Sequence, residues 1–332
     1  MRPGAHDCLT DVAGLRVGHA ALDRPGALSG TTVVLAPDGG ATAGADVRGA
    51  APGTRETDLL NPQATVQAVH ALVLSGGSAY GLASATGVMG RLERAGQGFA
   101  VPGGIVPIVP AAVVFDLGRG GDFGARPDAA LGEAAYDAAA SGPSPQGVVG
   151  AGTGAVAGGL KGGLGTASVV LDGGYTVSGL VVVNAVGSAV DAATGVLHGA
   201  RHGLPGEFDD LPAPSGAALG KLREAAGSHG FSAGTATSLL VVATDATLDK
   251  VGCSRMATMA HDGLARAIRP VHTVMDGDAA FGLATGARPA PDLPATFALH
   301  AAAADVTTRA LVHAMLAAEP AGQWPSYRSL VG

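Results

Sequence analysis

Short runs of aliphatic and β-branched residues alternate along the chain with glycine-rich stretches and with a few longer, helix-like segments. The short apolar runs predict buried strands at residues 31–35, 71–74, 112–115, 167–171, 179–183 and 239–243. Spacing of three to four residues between apolar positions predicts helices at residues 78–94, 249–268 and 296–318. Because the strands concentrate in the middle and the helices fall to the flanks, we expect an α/β protein whose helix layers cover sheets.

Composition narrows the class of protein. The chain has 332 residues, 47% hydrophobic and 14% charged, so it should bury a core rather than remain disordered. The 54 glycines follow no three-residue period, which excludes a collagen-like chain. The net charge is −7 and Lys and Arg form no cluster, so the sequence predicts no basic surface that would bind nucleic acid or anionic lipid. We therefore expect a small or uncharged ligand.

The sequence shows no clear targeting segment and no cysteine pattern typical of disulfides or metal sites. No apolar stretch has the length of a signal peptide core or of a membrane span, which favours a soluble, cytoplasmic protein. The two cysteines, Cys8 and Cys253, are far apart and lack a CxxC spacing, so neither a disulfide framework nor a zinc site is predicted.

A glycine-rich segment at residues 150–165 superficially matches nucleotide-binding motifs. The GAGTGA run should be followed by a helix in a dinucleotide fold, but five further glycines would lie inside that helix, and Lys161 lacks the neighbours of a Walker A lysine. No cofactor is therefore predicted. Lys161 itself, flanked by glycine pairs, is either a desolvated cation that activates a hydroxyl or a solvated loop lysine.

Three further segments carry polar residues at positions of interest. The LSGGSAYG run at 74–81 resembles a nucleophile elbow, but Tyr80 stands where glycine is required, so Ser78 is predicted to cap a helix. Asn184 interrupts an apolar run, and its amide would either donate to an oxyanion or bind backbone.

His272, Asp276 and Asp278 lie within seven residues of one another. On extended backbone the two carboxylates would share a face, about 6–7 Å apart, near enough to act on one site. The alternatives are a type I′ hairpin turn at Asp276-Gly277, which needs no chemistry, and a metal site. A metal is disfavoured because acidic residues are few and the HExxH glutamate is missing, so none is predicted.

Ordered blocks across nearly the whole chain resemble the L-aminopeptidase/D-esterase (DmpA-type) peptidases, a family that includes β-aminopeptidases and nylon-oligomer hydrolases. The blocks are LTDVAGLRVGHA (9–20), TAGADVRGAAPGTRETDLL (42–60), LSGGSAYGLASATGVMGRLE (74–93), VPIVPAAVVFDLG (106–118), GAGTGA (150–155), LKGGLGTAS (160–168), VVVNAVG (181–187), TATSLLVVATDATL (235–248) and AHDGLARAIRPVHTVMDGDAAFGLATG (260–286).

The resemblance implies an N-terminal-nucleophile-hydrolase-like α/β/β/α sandwich with DmpA-type connectivity. It further implies a single catalytic domain, residues 1–332, that cuts itself between Ala236 and Thr237 into chains 1–236 and 237–332. Thr237 would then be both nucleophile and, through its freed α-amine, the base.

The resemblance also implies roles for other residues. Lys161 matches the cation that polarises the nucleophile, Asn184 the oxyanion donor, and Asp276 with Asp278 the acidic pair. The remaining expectation is a substrate contact at Tyr80 and at Phe115. Two positions depart from the family: Ala236 stands where many relatives have Asn, and Phe115 where nylon-oligomer hydrolases have Tyr.

The expected function is a self-processing amide hydrolase, aminopeptidase-like, that removes N-terminal residues from short peptides or cleaves related amides and esters. The alternatives are a nylon-oligomer (6-aminohexanoate amide) hydrolase, an acyltransferase of the ornithine acetyltransferase type, and a non-catalytic binding protein of the same fold. No nucleic-acid or membrane partner is expected, and the resemblance implies a homo-oligomer, a tetramer or octamer.

Overall fold

Two five-stranded sheets lie face to face, with helices on their outer sides, in the computed structural model, which describes residues 1–227 and 236–332. The strands are β1 Arg16–Ala21, β2 Gly30–Leu35, β3 Thr42–Val47, β4 Thr54–Arg55, β5 Ala71–Ser75, β6 Phe99–Val101, β7 Gly104–Val106, β8 Ala111–Val113, β9 Val156–Ala157, β10 Leu160–Lys161, β11 Leu164–Val170, β12 Thr176–Val182, β13 Leu239–Ala246 and β14 Ala279–Arg288. The α-helices are α1 Ser84–Arg94, α2 Ala129–Asp137, α3 Gly216–Gly227, α4 Lys250–Ala267, α5 Leu293–Ala317 and α6 Tyr327–Val331.

The first sheet has the strand order β1-β2-β5-β8-β4, and α1 and α2 cover its outer face. The second has the order β11-β12-β13-β14-β3, and α4 and α5 cover its outer face. Within the second sheet β13 and β14 run parallel, whereas the other neighbours are antiparallel. The predicted α/β/β/α sandwich is therefore confirmed.

Strand β13 shows why its sequence is apolar on both faces. Leu240 and Val242 pack into the core under α4 and α5, and Leu239 and Val241 pack into the core between the sheets. Burying a side chain of this size contributes about 1.5–3 kcal/mol, so a polar residue at any of these positions would be costly.

The long helices begin at capping aspartates. Asp249 accepts a hydrogen bond from the Gly252 N–H at the start of α4, and Asp292 accepts one from the Ala295 N–H at the start of α5. Such caps satisfy backbone donors that a first turn leaves unpaired. The helices predicted at 249–268 and 296–318 are thus confirmed, the second beginning three residues earlier.

The predicted strands are also confirmed, with ends shifted by up to three residues. One local prediction is wrong: Ser78 does not cap a helix through its side chain. Instead Gly77, in the left-handed region at φ 81°, precedes a 3-10 helix at Ser78–Ala83, and α1 follows. None of the helices in the described part of the chain has the length and hydrophobicity that a membrane-spanning segment needs.

Candidate active site

The topology of the second sheet brings four predicted site residues to one end of its central strands: Asn184, Thr237, Asp276 and Asp278. Strands β13 and β14 are parallel with Leu239 opposite Ala279, so the residues just before each strand lie side by side. A parallel bridge joins Ala236 to Asp276 at this end. The antiparallel neighbour β12 ends beside the start of β13, which brings Asn184 to the same place.

The peptide bond between Ala236 and Thr237 is buried and closely held. The Thr237 hydroxyl donates to the Ala236 carbonyl oxygen at 2.6 Å, and the Gly277 N–H donates to the same oxygen at 3.0 Å. The Thr237 N–H donates to the Asn184 backbone carbonyl at 2.6 Å. The side chain thus lies against the carbonyl group that it would attack, and the Gly277 N–H would stabilise charge developing on that oxygen.

Gly277 permits this close approach because it has no side chain. A Cβ there would lie 2.3 Å from the Ala51 carbonyl oxygen and 2.7 Å from Thr237 Oγ1. Neither Gly277 nor Asp276 has a positive φ, so the type I′ hairpin turn considered for Asp276-Gly277 is wrong.

The two carboxylates hold backbone near Thr237, and Asp278 holds the residue that directly follows it. Asp276 accepts from the Thr273 N–H at 2.9 Å and hydroxyl at 2.6 Å, and from the Val186 N–H at 3.3 Å. Asp278 accepts from the Ser238 N–H at 2.7 Å. Both carboxylates are buried, so these hydrogen bonds replace the water that they lose on folding.

The Asn184 amide is fully buried and its orientation is defined by its partners. Its Oδ1 accepts from the Arg119 guanidinium and from the Val156 N–H, the latter at 3.1 Å. Its Nδ2 faces the Phe115 carbonyl at the long distance of 3.4 Å. Because Oδ1 accepts twice and Nδ2 makes one long hydrogen bond, the NH₂ group is the end of this amide that has a donor to offer a ligand.

Lys161 is buried, so the solvated loop lysine is wrong. Its ammonium donates to the carbonyls of Gly152, Ala155 and Gly162 at 2.8–3.0 Å, which uses all three donors. Burial and, to a smaller extent, the Arg119 charge lower the Lys161 pKa to about 7, against the opposing charge of Asp116. Lys161 therefore braces the segment from Gly152 to Ala155. The residue after this segment, Val156, donates its N–H to Asn184 Oδ1.

Arg119 and Asp116 are site residues that sequence reasoning missed. Burial lowers the Arg119 pKa to about 10, against the opposing charge of Asp116. Burial also raises the pKa of Asp116 itself. The Gly77 N–H donates to Asp116 at 2.7 Å, which ties the LSGGSAYG segment to this cluster. The signal was faint: the block 106–118 that carries the resemblance stops one residue before Arg119.

The expected substrate contacts occupy different environments. Tyr80 is 56% exposed, and the Arg126 guanidinium carbon lies 3.6 Å from its ring centre. Phe115 is half-buried, and its backbone carbonyl accepts from Asn184 Nδ2. Thr235, which opens the block 235–248, lies outside the described residues.

Asp7, Glu207 and His313 have metal-compatible spacing among the described residues. The Arg309 guanidinium already pairs with Asp7 and Glu207 at 2.7 Å each, and His313 pairs with Glu207 at 2.9 Å. Burial would raise the Glu207 pKa, but the hydrogen bonds from His313 and Arg309 lower it to about 2. Asp7, Glu207, Arg309 and His313 therefore form an ion-pair network.

Solved structures with this architecture identify the class of protein. A β-aminopeptidase from a Burkholderia species has a TM-score of 0.74 at 25% identity, covering 99% of this chain and 93% of that one. The L-aminopeptidase D-Ala-esterase/amidase of Ochrobactrum anthropi, described as a variant of the Ntn hydrolase fold, has a TM-score of 0.72 at 23% identity, covering 97% and 89%. The chain therefore has the fold of the N-terminal-nucleophile hydrolases.

Sequence comparison then gives the family. Residues 7–324 match the model of Peptidase family S58, and the chain belongs to this family of hydrolases acting on peptide and amide bonds. A Mycobacterium tuberculosis protein described as an uncharacterized aminopeptidase is 49% identical over 97% of each chain. A 6-aminohexanoate-oligomer endohydrolase of a Kocuria species is 32% identical over 86% of this chain and 76% of its own. The resemblance identified from the sequence is confirmed.

Proposed function

We propose that Thr237 is the nucleophile of an aminopeptidase-like hydrolase that first cleaves its own chain between Ala236 and Thr237. The observation that carries this proposal is the pair of donors, the Thr237 hydroxyl and the Gly277 N–H, on the Ala236 carbonyl oxygen. Cleavage there gives chains 1–236 and 237–332, the boundaries expected from the sequence.

The chemistry of processing balances within the site. Thr237 Oγ1 attacks the Ala236 carbonyl carbon, the C–N bond breaks, and the hydroxyl proton passes to the departing amine, which leaves an ester. The α-amine of Thr237 is then free, and water hydrolyses the ester, which releases the Ala236 carboxylate and restores the Thr237 hydroxyl. With an ordinary pKa of roughly 7.7–8.0, that amine accepts the hydroxyl proton near neutral pH in later turnovers.

In turnover, the same oxygen attacks the carbonyl carbon of the N-terminal residue of a short peptide, or that of a related amide or ester. The aminopeptidase names of the 49% identical relative and of the Burkholderia structure support this substrate class. Asn184 Nδ2 donates to the oxyanion. Asp278 holds the Ser238 N–H beside Thr237, and Asp276 holds Thr273 and Val186. Lys161 braces the segment before Val156, whose N–H donates to Asn184.

A second candidate is hydrolysis of nylon oligomers, which the 32% identical 6-aminohexanoate-oligomer endohydrolase favours. Phe115 lacks the hydroxyl that nylon-oligomer hydrolases carry at this position, so any hydrogen bond from that group is missing. Peptide amides are therefore the first substrates to test. Assembly as a tetramer or octamer and residence in the cytoplasm stay predictions from the sequence.

Intact-mass spectrometry of the purified protein, alongside Thr237→Ala and Thr237→Ser variants, tests the proposal. We expect two fragments meeting at Ala236/Thr237 in the wild type and in the serine variant, which keeps a hydroxyl. The alanine variant should remain one chain of 32.1 kDa and should not release amine from aminoacyl amides. Cleavage or turnover by the alanine variant would refute the assignment.

A further inference from the structure

His272 lies next to the acidic pair and has a role that the chemistry above leaves unassigned. Its Nδ1 pairs with Asp278 Oδ2 at 2.8 Å, and the other oxygen of that carboxylate accepts from the Ser238 N–H at 2.7 Å. A line of contacts therefore runs from the imidazole through the carboxylate to the residue that directly follows Thr237.

The backbone of His272 is held in an unusual conformation. Its φ is 52°, in the left-handed region that residues with a Cβ rarely adopt. Such conformations persist where the surrounding structure imposes them, and they concentrate at functional sites. Here the conformation places the imidazole against a carboxylate that is 2% exposed.

The ring of His272 is also fixed from its other side. The His261 ring packs edge-on against it with the ring centres 4.8 Å apart. His261 is itself held, because its Nε2 contacts the Asp46 carbonyl oxygen at 2.9 Å. The imidazole thus has a defined orientation, with Nδ1 toward Asp278.

We propose that His272 is a positioning residue that acts through Asp278 to hold the Ser238 N–H, and with it Thr237, in the reactive geometry. This inference rests on the proposed function of Thr237. Without the imidazole, one carboxylate oxygen of Asp278 loses its partner, and the carboxylate can rotate away from Ser238. Small displacements of a nucleophile have large effects on rate.

Three substitutions separate this role from a merely structural one. Asparagine tolerates the left-handed region and places an NH₂ donor where Nδ1 lies, so His272→Asn keeps both features. His272→Gly keeps the left-handed backbone but removes the donor. His272→Gln places its donor farther out, near the position of Nε2, and should not replace the contact.

The experiment measures self-cleavage by intact mass, kcat and KM on an aminoacyl amide, and the thermal midpoint for each variant. We expect the glycine and glutamine variants to lose about 10-fold to 100-fold in cleavage rate and kcat, with KM little changed, because the lost hydrogen bond involves a charged group. The asparagine variant should recover most of the wild-type rate. Exposed His6, changed to Asn, is the matched control and should behave as wild type.

Two results would overturn the proposal. One is a glycine variant that is as fast as wild type, and the other is an asparagine variant that is as slow as the glycine variant at the same thermal midpoint. An uncut, inactive wild-type chain is a different result, because it contradicts the proposed function and removes the reaction on which this inference rests.

Discussion

Replacing Asn184 by aspartate tests the oxyanion donor with almost no change of shape. The new side chain keeps Oδ1, which accepts from the Arg119 guanidinium and from the Val156 N–H. The backbone carbonyl of residue 184, which accepts from the Thr237 N–H, is also unchanged. What disappears is the NH₂ group, because an oxygen takes its place.

The expected loss follows from that single group. Removing one oxyanion donor typically costs about 2.7–4 kcal/mol of transition-state stabilisation, so kcat should fall roughly 10²-fold to 10³-fold. The new negative charge disfavours an oxyanion as well, which pushes the effect toward the upper end. Stability should also fall, because the new oxygen faces the Phe115 carbonyl and Arg119 offsets only part of the cost of the buried carboxylate.

Asn184→Ala is the contrasting variant. It removes Oδ1 too, which leaves the Arg119 and Val156 donors without that acceptor and lowers the free energy of unfolding by about 1–3 kcal/mol. Initial rates on an aminoacyl amide, normalised to the amount of cleaved chain, and urea unfolding distinguish the two variants. An aspartate variant that turns over substrate at the wild-type rate would refute the assignment of Nδ2 as donor.

Two further predictions concern processing and acid stability. Gly277→Ala should block or strongly slow self-cleavage, because its methyl group would clash with the Ala51 carbonyl and with Thr237 Oγ1. The control Gly220→Ala, in open space on α3, should cleave normally. Intact mass over time measures the cleavage of both variants. Burial lowers the His19 pKa to about 4, below its value of about 6.5 in the unfolded chain, so the unfolded state binds the proton first as pH falls. Wild-type stability should therefore drop by up to about 3 kcal/mol between pH 7 and pH 4, and His19→Gln should flatten this loss in urea titrations, whereas an equal loss in the variant would contradict the reasoning.

The sequence predicted the strands and long helices well because apolar periodicity is a local signal. It also supplied Thr237, but only through resemblance to known peptidases, since no spacing marks a threonine at the start of a strand as a nucleophile. Arg119 and the contact between His272 and Asp278 depend on tertiary packing. Arg119 lies 65 residues from Asn184 along the chain, and its guanidinium meets the amide only once the two sheets have packed.

The uncut geometry has a consequence for when activity begins. In the intact chain the Ala236 carbonyl oxygen accepts hydrogen bonds from the Gly277 N–H and the Thr237 hydroxyl. The Thr237 nitrogen is a peptide N–H that donates to the Asn184 carbonyl. A peptide nitrogen cannot serve as a base, and a donor already bound to one carbonyl is not open to another. The proposed cleavage would remove both obstacles, because the acyl shift frees the amine and hydrolysis of the ester releases the carbonyl. Hydrolysis of added substrate should therefore follow the appearance of the 237–332 chain with a lag, and the lag should lengthen in any variant that slows processing.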